Sequence, residues 1–206
     1  MQYRALGSSG IDASLVGLGT WLTGVEDDEK ASIRVIHAAL DAGINLIDTA
    51  PSYGWGRAEE VLGRAIRGRR EQAVIATKCG IWWADARGSF NGKKEGRDTY
   101  ICLQADTVRL EVEASLKRLK VDAIDLLQVH KPAIEPQLTP IEETIGCLME
   151  LKRQGKVRAI GVSNVSMDQL RTYRTCGELD AQQFHYNMLN RGPERSFLPY
   201  CHDNNI

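Results

Sequence analysis

Short apolar runs recur along this chain at intervals of about one strand plus one helix, and that alternation limits the fold more than any other feature. The runs are Leu15-Val16-Gly17-Leu18, Ile44-Asn45-Leu46-Ile47, Ala73-Val74-Ile75-Ala76, Ala123 through Val129, Val157 through Val162, and Ala181-Gln182-Gln183-Phe184. Between them lie segments with helical spacing. Ile33, Ile36 and Leu40 form one stripe, Val108, Val112, Leu116 and Leu119 a second, and Ile141, Ile145, Leu148 and Leu151 a third. Gly43, Gly68 and Gly155 stand where such helices should stop, each a few residues before the next run, which suits a left-handed position after a helix end. Most runs begin roughly 30 residues after the one before, the length of a βαβ unit, with one long excursion after the third. Near-continuous apolar strands joined by helices predict a parallel sheet covered on both faces.

Two parallel architectures bind ligands at the carboxyl ends of their strands, the open doubly wound sheet and the closed eight-stranded barrel. The first βα turn separates them. It reads Gly17-Leu18-Gly19-Thr20-Trp21-Leu22, with leucine where a dinucleotide fingerprint needs its third glycine. The expected fold class is therefore α/β, a parallel (β/α)8 TIM-type barrel with six of its eight strand-helix units in the chain, in one domain over residues 1–206. The segments Tyr3 to Leu6 and Ile11 to Ser14, around Gly7-Ser8-Ser9-Gly10, predict a β-hairpin covering the bottom of the barrel. The chain stops at Asn204-Asn205-Ile206, where a seventh strand would begin, so an incomplete chain or one half of an assembly is expected. Open sheet edges would favour self-association.

Charge excludes some partners. The 206 residues carry 26 basic and 27 acidic side chains, a net charge of −1, with no extended basic run to track a phosphate backbone. Neither a signal peptide nor an 18-residue apolar span is present, so no membrane partner is expected. Cys79, Cys102, Cys147, Cys176 and Cys201 are odd in number, widely spaced and without a CxxC pair. They read as reduced, mostly buried small hydrophobes of a cytoplasmic protein, with no metal site.

The polar residues that follow the strands carry the chemistry. They are Asp48 and Tyr53 after the second, Lys78 after the third, His130 after the fourth, and Ser163 and Asn164 after the fifth. Each alone has a plain structural role open to it, as a cap, a half-buried ring or a core histidine. A barrel brings all of them to one mouth, the face on which parallel barrels work. A tyrosine hydroxyl is a poor acid at neutral pH until a cation stabilises its phenolate, and a lysine held by a carboxylate supplies that cation. Asp48, Lys78 and Tyr53 make such a relay, and an imidazole across the pocket, His130, suits the orientation of a carbonyl oxygen.

The motifs Asp48-Thr49-Ala50-Pro51-Ser52-Tyr53-Gly54, Ile75-Ala76-Thr77-Lys78, Ile124 through His130, and Ile160-Gly161-Val162-Ser163-Asn164 occur in that order. With them the sequence resembles the aldo-keto reductase superfamily from Tyr3 through Ile206. The resemblance implies a barrel that binds an extended nicotinamide cofactor without a Rossmann fold and reduces aldehydes and ketones to alcohols. It implies Tyr53 as proton donor, Lys78 and Asp48 as the groups that tune it, and His130 as the group that orients the carbonyl. Ser163, Asn164 and Gln183 would clamp the carboxamide, and Gly19, Thr20, Trp21 and Asp48 are further expected cofactor contacts. NADP(H) is the cofactor implied, with NAD(H) open, because the segments that decide between them in relatives lie beyond Ile206.

The substrate pocket is expected to draw on Trp21, Trp55 and Trp82, aromatic residues that follow strands. The polar excursion from Gly80 to Tyr100 reads as a lid, and its Arg87, Lys93, Lys94 and Arg97 as solvated surface charge rather than a phosphate site. Two other functions stand beside a reductase. One is a cofactor-binding regulatory subunit with little turnover. The other is a barrel aldolase that uses Lys78 as a Schiff base, against which the adjacent Asp48 counts.

Overall fold

The computed structural model describes residues 1–23 and 28–206. Strands β1 (Tyr3–Ala5) and β2 (Asp12–Ser14) form the expected antiparallel hairpin. After it, β3 (Gly17–Gly19) leads through α1 (Glu29–Asp41) to β4 (Leu46–Asp48), and α2 (Arg57–Ala65) leads to β5 (Val74–Cys79). The excursion holds β6 (Ile81–Trp82), β7 (Ser89–Lys94) and β8 (Arg97–Ile101). Then come α3 (Ala105–Leu119), β9 (Ile124–Val129), α4 (Ile141–Arg153), β10 (Val157–Ser163), α5 (Met167–Cys176), β11 (Ala181–Gln183) and α6 (Phe197–Asp203).

Six strands pair in parallel in the order β11-β10-β9-β5-β4-β3, so each neighbours the strand before it in sequence, and the sheet curls as part of a barrel. The first strand lies two residues later than its apolar run implies. Leu15 and Val16 are 54% and 53% exposed, and pairing starts at Gly17, opposite Leu46. Gly80 to Tyr100 is no irregular loop. It contributes to an antiparallel sheet of order β6-β8-β7, bulged between Phe90 and Gly92 and fastened by the Ser89 hydroxyl, which donates to the Ile134 carbonyl over 2.6 Å.

The expected stripes face the sheet. Val108, Val112, Leu116 and Leu119 of α3 are buried, as are Ile145, Leu148 and Leu151 of α4, and each contributes roughly 1.5–3 kcal/mol by leaving water. Gly43, Gly68 and Gly155 have positive φ, as their positions after helices require. Helix α5 starts at a capping box, in which Ser166 Oγ accepts from Gln169 N while the Gln169 side chain accepts from Ser166 N.

Strand alternation sends Ile75, Thr77 and Cys79 of β5 toward the helices and Val74, Ala76 and Lys78 into the barrel. The interior cluster joins Val74, Ala76, Leu126 and Ala159 to Ile11, so the N-terminal hairpin plugs the bottom of the barrel as expected. Above that plug the interior becomes polar at the carboxyl ends of the strands.

Candidate active site

Asp48, Lys78 and Gln128 gather at the carboxyl ends of β4, β5 and β9 in one polar cluster, linked through Asp48. Asp48 lies opposite Ala76, and Lys78 lies opposite Gln128. Lys78 Nζ donates to Asp48 Oδ1 at 2.6 Å, to the Thr49 carbonyl at 2.9 Å and to the Tyr53 hydroxyl oxygen at 3.2 Å. An ammonium has three N–H donors, and here three acceptors meet them. The lysine side chain is 2% exposed and its carboxylate partner 22%.

The other oxygen of Asp48 accepts from two amides, Gln183 Nε2 at 3.1 Å and Gln128 Nε2 at 3.5 Å. Thr20 anchors the main chain of the same residue, its N and Oγ1 both donating to the Asp48 carbonyl at 2.9 and 3.0 Å. Asp48 is thus held on all sides by β3, β5, β9 and β11.

Tyr53 reaches Lys78 from a tight turn after β4. Gly54, Trp55 and Gly56 all have positive φ, and a non-glycine residue at φ 55° is a strained conformation of the kind that gathers at functional sites. His130 stands edge-on to the Tyr53 ring at 5.9 Å, and its carbonyl accepts from Asn164 Nδ2 at 2.9 Å. Burial, then the positive charges of Lys78, Lys131 and Lys94, push the imidazole down to about 3. It is therefore neutral at physiological pH, with one nitrogen able to donate.

Tyr53 and His130 face a cavity of about 200 Å³, walled by Trp21 and Ile81 and rimmed by Lys93, Lys94 and Lys131. Trp21 stacks at a tilt on Tyr53, 5.5 Å between centroids. Trp55 flanks the rim instead of lining it. It packs edge-on against Trp83, and its indole N–H donates to Glu95 Oε2 at 2.7 Å. Trp82 is not brought to the cavity. Ile81 points there, so alternation along β6 turns Trp82 away, onto Asp85 through its indole N–H at 2.8 Å and beneath Arg87 at 4.9 Å.

At the ends of β10 and β11, Ser163 lies in register with Gln183, and Ser163 Oγ donates to Gln183 Oε1 at 3.2 Å. Asn164, at φ 58°, donates its backbone N–H to the Gln183 carbonyl at 3.0 Å. A hydroxyl and two carboxamides at one strand edge offer both donors and acceptors, the complement an amide-bearing ring requires. Gly19 ends β3, the other edge strand of the sheet, with open space where a Cβ would stand. These residues fit a nicotinamide.

Three members of the site were not singled out from sequence. Gln128 was legible as a polar residue near the end of an apolar strand, two positions before His130 and so on the same face. Lys94 and Asn91 come from a hairpin that periodicity did not resolve.

The aldo/keto reductase family model matches residues 15–206. The chain belongs to the aldo-keto reductase family. It is 46% identical to aldo-keto reductase YhdN of Bacillus subtilis, over all of this chain and 60% of that protein. To the NADH-specific methylglyoxal reductase of Escherichia coli it is 44% identical, over all of this chain and 65% of that one. Among solved structures, a glycerol dehydrogenase from Gluconobacter oxydans superposes with a TM-score of 0.87 at 39% identity, covering 98% of this chain and 60% of the other. An aldo-keto reductase from Klebsiella pneumoniae in complex with NADPH superposes with a TM-score of 0.79 at 28% identity, covering all of this chain and 66% of that one. This chain thus spans 60% and 65% of the lengths of these two curated relatives.

Proposed function

We propose that the polar cluster at the strand ends reduces aldehydes and ketones to alcohols, with Tyr53 as proton donor. The observation that carries this reading is the direction of one hydrogen bond. Lys78 Nζ donates to the phenolic oxygen at 3.2 Å, so the tyrosine's own proton is left to point elsewhere, and the cavity lies beyond it. A bound reduced nicotinamide supplies hydride to the carbonyl carbon. As negative charge grows on the carbonyl oxygen, Tyr53 is placed to give it a proton, and neutral His130 to donate a hydrogen bond from the other side. The ammonium of Lys78 then offsets the charge left on the phenolate, and Asp48 keeps that ammonium in place.

Ser163, Asn164 and Gln183 would hold the carboxamide, and Gly19, Thr20 and Trp21 would border the ring. Support for a nicotinamide also comes from relatives, one NADH-specific by name and one solved with NADPH, so both cofactors belong in the first assay. A diffusible nicotinamide and five free thiols suit a cytoplasmic setting. The Schiff-base reading loses ground, because Lys78 has spent all three N–H groups on fixed acceptors.

The test is the fate of a label. With reduced nicotinamide deuterated at the transferring position and a simple aldehyde, the alcohol formed should carry one deuterium on its carbinol carbon. Alcohol formed without that deuterium, or no alcohol with either cofactor, overturns the reading.

A further inference from the structure

Of the four basic residues in the excursion that read as solvated charge, three behave so. Arg87 is paired with Asp85, Lys93 is 67% exposed and faces Asp98 at 3.3 Å, and Arg97 lies over the outer face of Trp55 at 5.1 Å. Lys94 does not. It turns inward from the end of β7, and its Nζ donates to the Ser52 carbonyl at 2.8 Å, one residue before Tyr53. The same ammonium stands 5.4 Å from the centre of Trp21 and 5.7 Å from that of Trp55, two aromatic faces that fix it without neutralising it.

Across the cavity Lys131, next to His130, makes one long contact of 3.4 Å to Asn91 Oδ1. Among the described residues the cavity lining holds three lysines and no carboxylate. Three nearby acids among the described residues have other partners, Glu95 the Trp55 indole, Asp98 Lys93 and Asp48 Lys78 behind the site. Both Lys94 and Lys131 are near enough for their charge to act on the imidazole of His130. Among the described residues, then, Lys94 and Lys131 stand without a carboxylate partner at the rim of a cavity whose floor carries the tyrosine and the histidine. Positive charge gathered around so small a cavity favours a ligand that brings its own negative charge.

We propose that the site takes small carbonyl compounds bearing an anionic group, a carboxylate or a phosphate, a few atoms from the carbonyl, with Lys94 and Lys131 as the residues that bind that group. The proposal rests on the reductase reading for its carbonyl end and on the two lysines for its anionic end.

The experiment compares matched pairs in the same protein. Succinic semialdehyde is set against butanal for the carboxylate, and glyceraldehyde 3-phosphate against glyceraldehyde for the phosphate. The ratio of kcat/KM, charged over neutral, should exceed roughly ten for at least one pair, the lower end for a hydrogen bond to a charged group. The pair that shows it identifies the anion. That ratio should fall toward one in Lys94→Gln and in Lys131→Gln, and should shrink as salt is raised. Because it is taken within each variant, a loss of folded protein cancels. Lys131 is exposed, so its variant keeps the test sound if Lys94→Gln fails to fold. Ratios near or below one in the parent chain, or ratios that neither substitution moves, overturn the proposal.

If no aldehyde is reduced, the reductase reading fails by itself, and binding decides the anion site. Emission from Trp21 and Trp55, which flank Lys94, is then titrated with 4-hydroxybutyrate, glycerol 3-phosphate and 1-butanol. Saturable change with one of the anions alone, weakened at least roughly tenfold in Lys94→Gln or Lys131→Gln, supports the site. An equal response to butanol, or no response to either anion, overturns it.

Discussion

Replacing Asp48 by asparagine should destabilise the fold more than replacing Lys78 by methionine, although the two residues form one ion pair. The asymmetry comes from what each leaves behind. Without the carboxylate, an ammonium on a 2% exposed side chain keeps the Thr49 carbonyl, the Tyr53 hydroxyl and at best an amide oxygen, none of them charged. Without the lysine, a 22% exposed carboxylate keeps the amides of Gln183 and Gln128 and some water. Stranding a buried charge costs roughly 3–5 kcal/mol. The surviving hydrogen bonds of Lys78 put Asp48→Asn near the lower end, about 3 kcal/mol, which in a chain of this size lowers Tm by roughly 6–12 °C. Methionine fills the same channel without a charge, so Lys78→Met should cost only about 1 kcal/mol. Urea unfolding followed by far-ultraviolet circular dichroism, with m-values compared, reads both. The double variant should be more stable than Asp48→Asn alone, since it removes the stranded charge. An equal or larger loss in Lys78→Met, or strict additivity in the double variant, would refute the argument.

Two buried groups should give stability opposite slopes with pH. His130 is held down to about 3 in the fold against 6.5 when free, so the unfolded chain takes the proton first. Stability is fully present above pH 6.5 and falls toward pH 3. His130→Gln should flatten that arm by up to one proton, about 1.4 kcal/mol per pH unit, in unfolding measured across the window. Glu111 of α3 accepts from Gly80 N at 2.7 Å and is pushed up to about 8, first by burial and also by the nearby charge of Glu59, against 4.5 when free. Its contribution is fully present below pH 4.5 and is lost as pH rises through 8. Glu111→Gln, which can keep the Gly80 bond, should leave stability nearly unchanged at pH 5 and raise it at pH 8, and a variant equally destabilised at both would contradict this. A methyl group at Gly63 would sit 2.6 Å from the Leu119 carbonyl where α2 crosses α3. Gly63→Ala should therefore cost about 1–3 kcal/mol by urea unfolding.

The parts of the fold legible in the sequence are those where one physical signal dominates. Apolar runs marked the starts of four parallel strands to within a residue and those of β3 and β4 two residues early, and the stripes of α1, α3 and α4 marked the helices that cover them. Helix α2 was marked only by its stop at Gly68, its stripe being hidden because the buried face includes Glu59, fully enclosed and satisfied by Arg118 and Thr77 instead of by apolar neighbours. Helix α5 buries only Leu170 and Tyr173. The β6–β8 sheet was missed because β6 is only two residues long and β7 and β8 are polar and bulged between Phe90 and Gly92, with no alternation to read. Asp48, Tyr53, Lys78 and His130 could be found because each lies at or beyond the carboxyl end of a strand, and strand ends converge whatever the loops do. The roles of Lys94 and Trp82 could not be found that way, since they depend on which face of a short hairpin strand turns inward.

The most direct test of the account is the rate of Tyr53→Phe. The substitution keeps the ring that packs on Trp21 and His130 and removes only the hydroxyl that Lys78 touches. Aldehyde-dependent oxidation of reduced nicotinamide by the parent chain and the variant would be followed side by side, with cofactor affinity measured by fluorescence. The account predicts a loss of about 10² to 10⁴ in turnover with affinity unchanged within a few fold. A Tyr53→Phe chain that reduces the aldehyde at the parent rate would contradict it.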